Sequence, residues 1–124
     1  MDEIATFVPD DIVLERTFDS SEGPVRLEVN APRPFAAADP TGDHYCVFRI
    51  TAPADVSYDG AGKGVDAVQA LLLALAKSHE ELRRLCPELT FLGSTNLGLP
   101  VVTVRPDNAI EAVISLAPAL TPPA

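Results

Sequence analysis

One stretch, residues 65–85, constrains the fold more than any other. Its apolar residues Val68, Leu71, Leu72, Leu75, Leu82 and Leu85 recur every three to four positions, and Gln69, Lys77, Glu80 and Arg84 fall on the opposite side. That spacing is the period of an amphipathic helix. Asp66 stands where an N-cap belongs, and Gln69 three positions later completes a capping box, each side chain able to satisfy a backbone donor the helix start leaves without a partner. Pro87 disfavours helical backbone in the residue before it, so the helix is predicted to end near Leu85. His79 falls inside the apolar arc and reads as a core-edge histidine satisfied by a backbone carbonyl. Leu73 falls on the polar side. A helix with one apolar face must bury it against another layer, and upstream the chain offers strands.

In residues 12–18, Ile12, Leu14 and Phe18 alternate with Val13, Glu15 and Thr17, and only Arg16 breaks the apolar side. Val25, Leu27 and Val29 alternate with Arg26, Glu28 and Asn30; Cys46, Phe48 and Ile50 alternate with Tyr45, Val47, Arg49 and Thr51. A period of two is that of a half-buried strand, and the short turns between these segments favour antiparallel pairing. Pro32, Pro34 and Pro40 deny residues 31–42 a regular ladder of donors, so that stretch is read as a loop. Residues 89–92 and 101–105 read as further short strands. Asp107 is placed to cap a short second helix carrying Ile110, Val113, Ile114 and Ala117, which Pro118 would stop. The expected architecture is α+β: an antiparallel sheet of three to five strands, one long helix across one face, and a short C-terminal helix. Residues 1–117 form one domain, followed by a Pro-rich tail over residues 118–124.

Of 124 residues, 18 are acidic and nine basic, a formal charge of −9. A broad basic surface for phosphate is therefore absent, and nucleic acid is not an expected partner. The start of the chain, Met1-Asp2-Glu3-Ile4, has no basic leader, and the longest apolar run, residues 70–76, is far short of the roughly 20 residues of a membrane span. Cys46 and Cys86 show no CxxC spacing and are expected to be reduced. These features together predict a small acidic cytoplasmic protein with no membrane association.

Three segments could carry chemistry. The run Asp59-Gly60-Ala61-Gly62-Lys63-Gly64 fails as a phosphate loop. The Walker pattern requires glycine where Ser57 stands and a hydroxyl where Gly64 stands, and the GxGxG spacing is not the dinucleotide pattern. It reads as a flexible connection whose glycines supply positive φ for a strand-to-helix reversal. The same stretch fits a calcium loop in part: Asp55, Ser57, Asp59, Gly60 and Asp66 fall on positions 1, 3, 5, 6 and 12. Against that fit, the last ligand is Asp instead of Glu, Gly62 replaces the apolar anchor and Lys63 places a cation beside the site. His44 and Cys46 share a strand face, which is the chemistry of an activated thiol, but that face is apolar and a core role is expected. No nucleophile elbow, HExxH or compelling carboxylate pair is present, so neither an enzyme nor a cofactor is expected.

If the apolar sides of the strands meet the helix, Glu15, Arg26, Glu28, Tyr45, Val47 and Arg49 share the opposite face. Residues 1–30 carry eight acids and two arginines, so a basic partner would be steered towards that end. The words Phe48-Arg49-Ile50-Thr51, Gly64-Val65-Asp66-Ala67-Val68-Gln69-Ala70-Leu71, Leu89-Thr90-Phe91-Leu92-Gly93 and Leu97-Gly98-Leu99-Pro100 resemble, over roughly residues 15–100, a family of short bacterial proteins carrying a domain of unknown function. That resemblance implies no activity, cofactor or catalytic residue. The expected function is non-catalytic protein binding, as a toxin-neutralising, immunity-like or accessory factor, with Glu15, Glu28, Tyr45 and Arg49 meeting the partner. The alternative is a metal- or small-ligand-binding module that uses Asp55, Ser57, Asp59 and Asp66.

Overall fold

The computed structural model describes residues 6–115. β1 (Ile12–Ser20) and β2 (Gly23–Asn30) form an antiparallel hairpin. The central strand β4 (His44–Ala52) lies antiparallel to β2 and, beyond its end, to the two-residue β3 (Arg33–Pro34). The other edge of β4 takes β5 (Val56–Gly64), also antiparallel. α1 (Ala67–Leu85) crosses one face of this five-stranded sheet, chiefly over β4 and β5. A separate two-stranded ribbon, β6 (Val101–Val104) and β7 (Ile110–Val113), follows. The expected α+β architecture is thus present.

The helix starts as the sequence predicts. The Gln69 N–H donates to Asp66 Oδ1 at 2.8 Å, and the Gln69 side chain accepts the Val65 N–H at 2.8 Å. The face it buries is turned from the centre of the leucine arc: Leu82 is in the core and Leu71, Leu75 and Leu85 pack at its edge, but the closest approach is made by small residues. Ala70, Ala74, Ser78 and Leu82, spaced by four, are fully buried, whereas Val68 is 66% and Leu72 37% exposed. The sheet is the cause. Gly60, Gly62 and Gly64 alternate along β5 on the helix-facing side, and a Cβ on Gly62 would lie 2.1 Å from the Ala74 backbone nitrogen and 2.6 Å from the Ala70 carbonyl oxygen. Backbone meets backbone there, and only small residues on α1 allow that approach. The glycine run is therefore a strand and not a flexible connection, and none of these three glycines has positive φ. Leu73, expected on the polar side, is half-buried and shares a cleft with Val102 of β6.

Phe18, Val25, Leu27, Val29, Cys46, Phe48 and Ile50 supply the sheet side of the core, and each large side chain there stabilises the fold by about 1.5–3 kcal/mol. Where α1 does not reach, over β1 and β2, residues 89–100 close the core with Leu89, Leu97 and Leu99. Two arginines hold that segment. Arg16, the break in the apolar side of β1, donates to the Leu97 carbonyl at 2.9 Å and lies 4.3 Å from the centre of the Phe91 ring. From the helix, Arg83 donates to the Leu89 carbonyl at 3.1 Å and to that of Thr95.

Two further expectations change. Residues 89–92 add no strand to the sheet; they make single bridges, Asp19 with Thr90 and Phe91 with Ser94. The second helix is instead β7. Pro106, Asp107 and Asn108 make a hairpin turn with Asn108 at φ 66°, and Asp107 Oδ1 accepts the Ala109 N–H within that turn. Ile110 and Val113 fit a helical period, but tight pairing with β6 satisfies their backbone sooner than a one-turn helix does. Ala117 and the predicted tail, residues 118–124, lie outside the described residues.

Candidate functional site

The sheet face turned away from α1 carries side chains in rows set by strand register. Glu15 opposes Glu28, Glu28 opposes Arg49, and Arg49 opposes Asp59, so one row runs Glu–Glu–Arg–Asp across four strands. A second row holds Thr17, Arg26, Thr51 and Ser57. Arg49 is committed within its row: its Nε and Nη2 donate to the two carboxylate oxygens of Asp59 at 2.7 and 2.9 Å. That bond, the largest influence on Arg49, raises the guanidinium pKa further.

The two glutamates are placed differently. The Asp19 N–H and carbonyl both bond outward to Thr90, at 2.8 and 3.0 Å, and its partner Pro24 has no N–H to offer. Hydrogen-bonded and open pairs alternate along an antiparallel ladder. From Asp19, therefore, Thr17 with Arg26 and Glu15 with Glu28 are open pairs, the closer kind, with Cα atoms about 4.5 Å apart. Like charges directly opposed at that spacing repel. Among the described residues, neither carboxylate has a cation within salt-bridge distance.

The other half of this face is covered by the chain itself. Phe7 is buried against Val47 and Ala61, beside Ile12 and Tyr45, and the Arg49 guanidinium lies 4.5 Å from its ring centre. Asn30 anchors this strap: its Oδ1 accepts the Val8 N–H at 2.7 Å, and its Nδ2 donates to the carbonyls of Val8 and Asp11 at 2.9 and 3.0 Å. Tyr45 is half-buried, its ring 5.1 Å from that of Phe35. Of the four residues expected to meet a partner, Glu15, Glu28 and Arg49 thus share one row, and Tyr45 lies apart beside the strap. Nothing in the sequence marks the strap except a lone aromatic, Phe7, ahead of the first strand.

The residues of the alternative reading are drawn apart. Asp55 sits in the turn before β5 at φ 61°, Ser57 and Asp59 lie on the outer face of β5, and Asp66 caps α1 beyond its far end. The intervening strand β5 is extended and by itself about 26 Å long, so the closed loop that a twelve-residue ion site requires is replaced by a β ladder. Among the described residues, no group of three or more His, Cys, Asp or Glu side chains is gathered. Cys46 and His44 are both buried on the helix side. The Cys46 thiol donates to the Asn30 carbonyl at 3.3 Å, and burial raises its pKa to about 11, which keeps it protonated. Among the described residues, no helix is long and apolar enough to cross a membrane.

Beside the Glu15–Glu28 pair, on the helix side of the same two strands, lies an apolar groove of about 260 Å³. Leu14, Leu27, Val29, Leu75, Leu99 and Ile114 line it. It leaves no mark in the sequence, because residues from five separate segments build it.

Residues 14–101 match the DUF6968 family, described as a domain of unknown function. No curated protein and no solved structure matches the chain.

Proposed function

The chain belongs to the DUF6968 family, and from that premise we propose that it is a non-catalytic protein-binding module, acting as a toxin-neutralising or accessory factor on a partner with a basic contact surface. The observation that supports this most is the Glu15–Glu28 pair. An exposed face that opposes two carboxylates, while Arg49 opposite Glu28 is held by Asp59 and Arg26 in the next row is within salt-bridge distance of neither among the described residues, gains when a lysine or arginine from another molecule comes between them. The formal charge of −9 steers such a partner at long range, more strongly at low salt. A cytoplasmic setting fits the two free cysteines, one of them buried.

The test compares immobilised wild-type protein with the Glu15→Lys/Glu28→Lys variant in native lysate. A protein retained by the wild type, released as salt is raised and not retained by the variant supports the reading. The same proteins on both columns, at every salt concentration, overturn it.

A further inference from the structure

The alternation that places Glu15 opposite Glu28 also fixes the backbone of β1. Leu14, Arg16 and Phe18 spend their N–H and carbonyl groups on β2, whereas Glu15 and Thr17 point theirs away from it, as Asp19 does. At Asp19 that outer edge is closed by Thr90. At Glu15 and Thr17 no backbone or side-chain group among the described residues meets it. Open edges of this kind accept a further strand. This one has contrasting chemistry on its two sides. Towards the helix lies the apolar groove, with Leu14, itself 44% exposed, on its wall. Towards the outer face lie Glu15 and Glu28.

Resting on the protein-binding reading above, we propose that β1 takes up an extended partner segment as a sixth strand of the sheet, its backbone bonding to Glu15 and Thr17. Its inward residues are aliphatic and fill the groove; its outward residues are lysine or arginine and lie against Glu15 and Glu28. The occupant is therefore a basic–apolar alternating segment. A second copy of β1 is a poor occupant, because it brings another Glu15 to an already acidic row. The other open edge, β5, is a poorer dock: Lys63 stands on its outer side, and a lysine on an edge strand discourages pairing.

The probe is a fluorescein-labelled ten-residue peptide alternating valine and lysine, titrated with the full chain and read by anisotropy. Binding is expected to weaken at least tenfold with Glu15→Lys/Glu28→Lys, and at least tenfold when the peptide amides that face β1 are N-methylated. N-methylation of the alternate amides, which point away, should leave affinity unchanged. Thr17→Pro removes an outward donor without touching the β1–β2 ladder and should also weaken binding tenfold. The N-methyl series gives the same information without any protein variant. In hydrogen exchange, peptide should protect the Glu15 and Thr17 amides, while those of Arg16 and Phe18 are protected throughout. Equal binding of a scrambled peptide of the same composition, or indifference to N-methylation, overturns strand addition while leaving the acidic-face reading standing. Indifference to the double charge reversal overturns both. Protection of Glu15 and Thr17 by a concentration-dependent dimer, without peptide, overturns the proposal in favour of self-pairing.

Discussion

Gly62→Ala is the most informative single substitution. The added methyl group would sit 2.1 Å from the Ala74 nitrogen, 2.6 Å from the Ala70 oxygen and 2.7 Å from the Ala74 Cα. All three are backbone atoms of a helix, so no side-chain rotation relieves the overlap. Ordinary van der Waals contact begins at 3.4 Å, so α1 must retreat from β5 by at least 1.3 Å. Overfilling a packed site typically costs about 1–3 kcal/mol, and a gap of about 1 Å along the buried row Ala70, Ala74 and Leu82 forfeits up to half of those contacts. Against this stands about 0.4–1 kcal/mol gained from the reduced freedom of the unfolded chain. The net expectation is a loss of about 2–3 kcal/mol, equivalent to a fall in Tm of about 10 °C for a domain of this length. Urea unfolding followed by circular dichroism measures it as a fall in midpoint at constant slope. Gly93→Ala is the control. Nothing lies within 4 Å of the new methyl, and only its φ of +83° opposes alanine, for about 1 kcal/mol. A Gly62→Ala protein as stable as the wild type, or no worse than the control, would refute the backbone-to-backbone seating of the helix.

Two other outcomes follow from single side chains. Asn30→Ala strands the Val8 amide and two carbonyls at a position only 2% exposed; the expected loss is about 2–3 kcal/mol, with faster hydrogen exchange at Val8 as the local signature. His79 is half-buried; its pKa is lowered first by burial and then by the nearby Arg83, against the Pro100 carbonyl and Glu80, which favour the proton. The unfolded chain therefore binds this proton more readily than the folded one. The stability concerned is complete above the ordinary histidine value of about 6.5 and is lost as pH falls through it towards the lower folded value. A His79→Gln protein, melted between pH 8 and 5.5, should show a flatter decline than the wild type, and parallel curves would contradict the assignment.

The elements legible from sequence were those in which side chains report their own surroundings. β1, β2 and β4 alternate because one face is buried, and the caps of α1 are local chemistry written within four residues. β5 escaped because, past Tyr58, its inner face is Gly60, Gly62 and Gly64 with no side chains, so a strand whose inner surface is mostly backbone looks like a linker. The same absence turned the helix. The whole apolar arc was expected to face the sheet; Leu82 does, and Leu71, Leu75 and Leu85 pack at the core's edge, but the place α1 had to approach most closely has least room for large side chains, and Val68 and Leu72 were left outside. Of the site, the common face of Glu15, Glu28 and Arg49 followed from alternation alone; their alignment in one row with Asp59 is set by strand register, which the sequence does not show. The Phe7 strap, the Thr90 bridge and the groove did not, since each depends on a contact between residues distant in sequence. Arg16 was the one signal of that kind available: a charge on an apolar strand face implies something polar to hold, and it holds the Leu97 carbonyl.

That hold also bears on the order of assembly. Residues 12–30 and 44–85 each form from neighbours along the chain, whereas the bond from Arg16 to Leu97 joins positions 81 apart. Arg16 lies on β1 and Arg83 on α1, so both of those units must be joined before Leu89, Leu97 and Leu99 can reach their places. Docking of residues 89–100 is therefore the expected final event of folding, and their release the expected first event of unfolding. Because Leu99 is also a wall of the groove beside β1, the part of the molecule that matures last is the part that gives that groove its shape.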